Sequence, residues 1–134
     1  MPELIKRGWE TGEEFTLVGE AILDPHIDLL KFSGMEIKAR KDGDEVFLEG
    51  KTYAVGHRTA VNGPFRAQVT KVFPCKNSQR FIQEFDSLVD ELFEDDSKVP
   101  PQNVDDKPVE RDLWKSRIER GRLFGESLFG GSQI

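Results

Sequence analysis

Two histidines, one cysteine and twenty-five carboxylates are the groups of this chain able to carry acid–base, nucleophilic or metal chemistry. His26 and His57 have no Asp, Cys or second His at the spacing that a zinc site or a nucleophile relay requires, and both read as ordinary loop or edge-strand residues. Cys75 stands alone, which excludes an internal disulfide and a cysteine-rich metal centre. A general acid–base pair needs two carboxyl groups held at fixed separation in a cleft, whereas the carboxylates here fall on turns and helix faces. Gly19, Gly34, Gly50, Gly56 and Gly63 never form a phosphate-cradling loop that opens a helix, and they read as turn glycines. The pattern predicts a protein that is not an enzyme and uses no cofactor or metal.

Binding chemistry has more support. Tyr53 beside Lys51, with His57, Arg58 and Arg66 nearby, forms an aromatic-and-basic set of the sort that stacks single-stranded bases in OB-folds. Against it stands a net charge of −6, which opposes nonspecific attachment to a phosphate backbone. Arg111, Lys115, Arg117, Arg120 and Arg122 make the segment around Trp114 locally basic, suited to an acidic partner or to phosphates. Leu-Phe-Gly occurs twice after it, at 123–125 and 128–130. The N-terminal segment lacks the apolar run of a secretory signal, and no stretch of roughly 18 apolar residues occurs, so an intracellular chain without a membrane span is expected.

The elements that must position these residues follow from periodicity. From Glu45 to Phe73, apolar and polar residues alternate and break at Gly50, Gly56 and Asn62-Gly63-Pro64, which predicts three strands around which the rest is organised. Glu14 to Leu23 supplies an earlier strand, Asp24-Pro25-His26 a turn, and Ile27 to Arg40 a bulged strand or two short ones. Asp42-Gly43 predicts a hairpin turn of type I′, with paired positive φ. After Phe73 the period changes to 3.6: Phe81, Ile82, Phe85, Leu88, Val89, Leu92 and Phe93 form one apolar stripe, capped by Asn77 or Ser78. Glu94-Asp95-Asp96 crowd the end where the macrodipole disfavours negative charge, so the last turn is expected to fray. Residues 97–108, with Pro100-Pro101, read as a linker, and Val109, Leu113, Trp114 and Ile118 as a short second helix.

The order of apolar strand, Gly50, a strand ending at Gly56, then Gly63-Pro64-Phe65 and a closing strand resembles the small β-barrel subunits that pair with a larger partner. Those are the cohesion-linked small subunit of the alternative clamp loader, the small barrel subunit of transcription factor IIIC and the non-catalytic C subunit of ribonuclease H2. The clamp-loader subunit is the most similar, through Gly19-Glu20 after an early apolar strand and through Gly63-Pro64-Phe65. The likeness covers roughly residues 14–73. Beyond Phe73 this chain departs from it, with a helix, a proline linker and the Leu-Phe-Gly tail in place of a further strand and a basic terminus.

The resemblance implies a mainly β fold with C-terminal helices: a small antiparallel β-barrel completed by a partner subunit. It implies a non-catalytic subunit that heterodimerises within a nuclear, DNA-associated assembly for replication clamp loading or transcription. The alternatives are a free-standing OB-like single-strand binder and an accessory subunit of a nuclease. The expected organisation is a barrel domain with a packed helix over 1–96, a linker over 97–108 and a docking tail over 109–134. Partner contacts are expected at Trp9, Phe65, Phe85, Leu88, Trp114, Phe124 and Phe129, and nucleic-acid contacts at Lys51, Tyr53, Arg58 and Arg66. Nucleic acid would otherwise be contacted only indirectly.

Overall fold

Alternating burial runs along three consecutive strands and stops at two helices. The computed structural model describes residues 9–19, 34–53, 65–100 and 109–129. Four strands, β1 (Glu14–Val18), β2 (Gly34–Asp42), β3 (Glu45–Tyr53) and β4 (Phe65–Pro74), pair antiparallel in the order β1-β2-β3-β4. Helices α1 (Ser78–Ser97) and α2 (Arg111–Ser127) follow. Among the described residues the architecture is an open four-stranded antiparallel sheet with C-terminal helices. α1 packs on β3 and β4, while α2 packs on β1 and on α1, so both helices cover one face.

That face is where the alternation points. Met35, Ile37 and Ala39 of β2, Val46 and Leu48 of β3, and Ala67, Val69 and Phe73 of β4 are buried there with Leu17 and Val18 of β1. Phe81, Phe85, Leu88, Val89 and Leu92 of α1 complete the core, the stripe expected from their spacing. Burying large side chains of this kind contributes about 1.5–3 kcal/mol each. Asn77 caps α1, its side-chain oxygen accepting from the Arg80 backbone N–H at 2.9 Å.

Several expectations are corrected. Gly50 does not break the central stretch: β3 passes straight through it, so two predicted strands are one. The absent side chain serves close approach instead, because a Cβ at Gly50 would lie 2.9 Å from Leu88 Cδ2, with Leu92 closer still. The hairpin turn places Gly43 first in a two-residue loop between the paired Asp42 and Glu45, with φ +62°, and no non-glycine residue among those described has positive φ. This is the first position of a type II′ turn rather than type I′. The first strand stops at Val18, and the predicted continuation to Leu23, the turn at Asp24-Pro25-His26 and the segment from Ile27 to Ser33 lie outside the described residues, as do Val55, Gly56 and Gly63.

The C-terminal segment is not separate from the core. Val109, Trp114 and Phe129 are buried in the same cluster as the sheet, and Phe129 stacks at 5.6 Å on Phe81 and edge-on at 5.9 Å to Trp9. The glycines that weaken α2 as an isolated helix are what allow it to dock: a Cβ at Gly121 would strike the Leu17 backbone carbonyl. α1 likewise runs four residues past Phe93 instead of fraying. The intervening linker, 101–108, lies outside the described residues. Deleting residues 105–134 would therefore uncover Phe81, Val18 and Trp9. We expect thermal unfolding by circular dichroism to show a midpoint lowered by well over 10 °C, since each ~1 kcal/mol is worth about 4–8 °C in a chain near this size.

Candidate interaction surfaces

At the end of α1 an ion pair is sealed inside the protein. Asp96 is fully buried and Arg66 7% exposed. Arg66 Nε donates to Asp96 Oδ1 at 2.8 Å, and Nη2 donates to the main-chain carbonyls of Asp96 and Val99 at 2.9 and 3.2 Å. Thr52 Oγ1 donates to the same Oδ1 at 2.8 Å, and the Val109 backbone N–H to Oδ2 at 2.6 Å. A register shift in the β3–β4 ladder directs Arg66 there: Thr52 pairs with Ala67 and Tyr53 with Phe65, leaving Arg66 as the extra residue of a bulge. The carboxylate thus collects β3, β4 and the residue before α2 at one point.

The sequence pattern places Arg66 among the nucleic-acid candidates and Asp96 in a fraying acidic helix end, whereas the structure buries the two against each other. The signal for Asp96 was in the helical phase, since it lies four residues after Leu92 and seven after Val89, on the apolar stripe. Removing one partner of a buried, hydrogen-bonded pair strands the other charge. Asp96→Asn should destabilise by about 3–5 kcal/mol in urea unfolding. In a double-mutant cycle with Arg66→Met the two losses should fall well short of adding.

The face of the sheet turned away from the helices is a grid of opposite charges. Across the strands its rows are Glu14, Arg40, Phe47 and Val72, then Thr16, Lys38, Glu49 and Thr70, then Glu36, Lys51 and Gln68. Lys38 meets Glu36 and Lys51 meets Glu49, each at 3.9 Å, while Gln68 donates to Glu49 at 2.6 Å. Arg40 lies 4.9 Å over the Phe47 ring. A depression of about 250 Å³ lies among Glu14, Lys38, Arg40, Phe47, Glu49 and Thr70 on this face. With the hairpin-end row of Asp42, Glu45 and Pro74 included, the face carries three cations and five carboxylates, so it has no positive field for a polyanion.

The predicted nucleic-acid set is accordingly dispersed. Lys51 is on the grid, Tyr53 is buried with its hydroxyl donating to Glu36 at 3.2 Å, Arg66 is on the opposite face, and Arg58 lies outside the described residues. Of the predicted partner contacts, Trp9, Phe85, Leu88, Trp114 and Phe129 are core residues; Phe124 alone among those described is exposed. Phe65 heads β4, and its side chain falls outside what is described. The Trp114 indole N–H is buried without a hydrogen-bond partner among the described residues.

The two edges of the sheet differ. β1 is five residues long, irregular between Thr16 and Val18, and packed against α2. β4 is ten residues long, and among the described residues no strand pairs with it beyond β3. On its open side stand Gln68, Thr70 and Val72, all uncharged and exposed. Lys71, which would guard the edge with charge, turns instead to α1 and pairs with Glu91. Hydrogen bonds from Lys71 and then Ser87 hold the Glu91 carboxyl below its usual range. A depressed carboxylate adds stability above its unfolded pKa and loses it as pH falls through the folded one. Lys71→Met should thus destabilise slightly at neutral pH, by less than about 1 kcal/mol given the exposure of Glu91, and the difference from the parent should vanish in strong acid.

Reactive groups are sparse among the described residues. Burial pushes the Cys75 thiol up, with Lys41 opposing and Asp44 adding to the shift, so the thiolate that a nucleophile requires is disfavoured. No group of three or more His, Cys, Asp or Glu residues able to hold a metal ion occurs among those described, and both histidines lie outside them. The chain matches no protein-family model, no curated protein and no solved structure.

Proposed function

We propose that this protein is a non-catalytic small subunit that recruits a larger protein by accepting one of its extended segments along β4. The observation that carries this reading is the difference between the edges: β1 is five residues long, whereas β4, bulged at Arg66 and backed by α1, runs ten residues with the uncharged Gln68, Thr70 and Val72 exposed. An added strand satisfies the outward N–H and C=O groups of β4, while alternate side chains meet Gln68, Thr70 and Val72. A barrel shared between two chains needs the partner's strands at such an edge. The inner face of the sheet is occupied by α1 and α2, so the partner must extend the sheet from β4 outward. The resemblance in residues 14–73 supports a nuclear replication or transcription assembly as the setting.

The test replaces exposed edge residues without touching the core. Thr70→Lys and Val72→Lys should each change the unfolding free energy by no more than about 0.5 kcal/mol, as for ordinary surface substitutions. Affinity purification of the tagged chain, with its partners identified, should recover the larger subunit with the parent and lose it with the double variant. Equal recovery by both proteins would exclude β4 as the docking edge.

A further inference from the structure

Helix α2 concentrates, on one outward surface, the apolar and cationic groups that the rest of the fold has used up. Three large apolar side chains are exposed among the described residues: Val72 on the β4 edge, and Leu123 and Phe124, 57% and 43% exposed, on α2. Of the α2 cations, Arg111 and Arg122 are held by Asp90 and Asp86 of α1 at 3.0 Å, closing the seam between the helices. Arg117 lies 5.9 Å over the Trp114 ring, and Arg120 is exposed; neither meets a carboxylate within ion-pair distance among the described residues. Arg117 precedes Arg120 by three positions, and Arg120 precedes Leu123 and Phe124 by three and four, so the four form one contiguous helical patch. Phe124 is anchored from beneath by Phe15 at 5.8 Å, which in turn meets Trp9 at 5.8 Å.

We infer that this patch is a second docking surface, independent of β4, for an acidic amphipathic segment of a partner protein. The chemistry is complementary in both parts. Leu123 and Phe124 offer apolar area to aliphatic or aromatic anchors, while Arg117 and Arg120 offer guanidinium forks to carboxylates. A phosphate backbone or an anionic membrane presents a continuous field of negative charge, against which the net charge of −6 works; a short acidic segment needs only the local cations. The aromatic chain beneath Phe124 holds the apolar anchor in place, so little ordering is needed on binding.

The experiment selects a displayed library of random short peptides on the intact protein, then measures the selected peptides by NMR titration and calorimetry. The selected sequences should be enriched in Asp and Glu alternating with Leu, Phe or Trp at helical spacing, and should shift resonances of residues 117–124. Arg120→Glu should weaken them at least about tenfold, as expected for reversing a charge at a contact. Leu123→Ser with Phe124→Ser should do the same, whereas Thr70→Lys with Val72→Lys should change nothing. Neutral or basic selected sequences, or equal affinity for parent and Arg120→Glu, would overturn the inference. So would tighter binding of a single-stranded oligonucleotide or of phosphatidylserine vesicles than of any selected peptide, with the same dependence on Arg120.

Discussion

The Arg66–Asp96 ion pair is the constraint on which the described structure turns. A carboxylate in the last turn of a helix opposes the macrodipole, and burying one unpaired costs several kcal/mol. Here the guanidinium supplies the opposite charge and also donates to the main-chain carbonyls of Asp96 and Val99, at and just beyond the helix end. Thr52 and the Val109 N–H fill the remaining lone pairs. Geometry this specific sets where α1 ends, how deeply it sits on β3 and β4, and where the chain re-enters before α2. The bulge at Arg66 exists in the same arrangement, because a regular ladder would send that side chain to the other face.

Among the described residues, α1 and α2 cover the inner face of the sheet. The outer face pairs its cations with its own carboxylates and carries more carboxylates than cations, which keeps an antiparallel sheet solvated while denying a polyanion an attractive field. Burial also withdraws most aromatic residues from the surface: Trp9, Phe81, Phe85, Trp114 and Phe129 are held in the core. Among the described residues, the surfaces proposed to meet other molecules are the uncharged edge of β4 and the outward side of α2.

The two surfaces rest on opposite physical provisions. At β4 the provision is backbone: hydrogen-bonding groups that a partner strand can satisfy, with Lys71 drawn away to Glu91. At α2 it is side chain: exposed apolar groups beside cations that no carboxylate of the described residues takes up. Both are near the covering helices, so loss of α2 docking would disturb one surface outright and weaken the support behind the other.

By itself the sequence determined the elements whose signals are local. Alternation over Met35–Ala39, Val46–Leu48 and Ala67–Phe73 specifies strands, the 3.6 period from Phe81 to Leu92 specifies α1, and Asn77 or Ser78 marks its start, because each depends only on neighbours a few residues away. Tertiary structure alone decided the rest. Gly50 reads as a turn until a helix is seen pressing on it, and Asp96 reads as a frayed surface charge until Arg66 and Thr52, 30 and 44 residues earlier, are brought to it. The segment after the prolines reads as a free tail because its glycines weaken an isolated helix; in the fold they admit the β1 backbone and the Phe81 ring. Such meanings depend on contacts between distant segments, which no local period encodes.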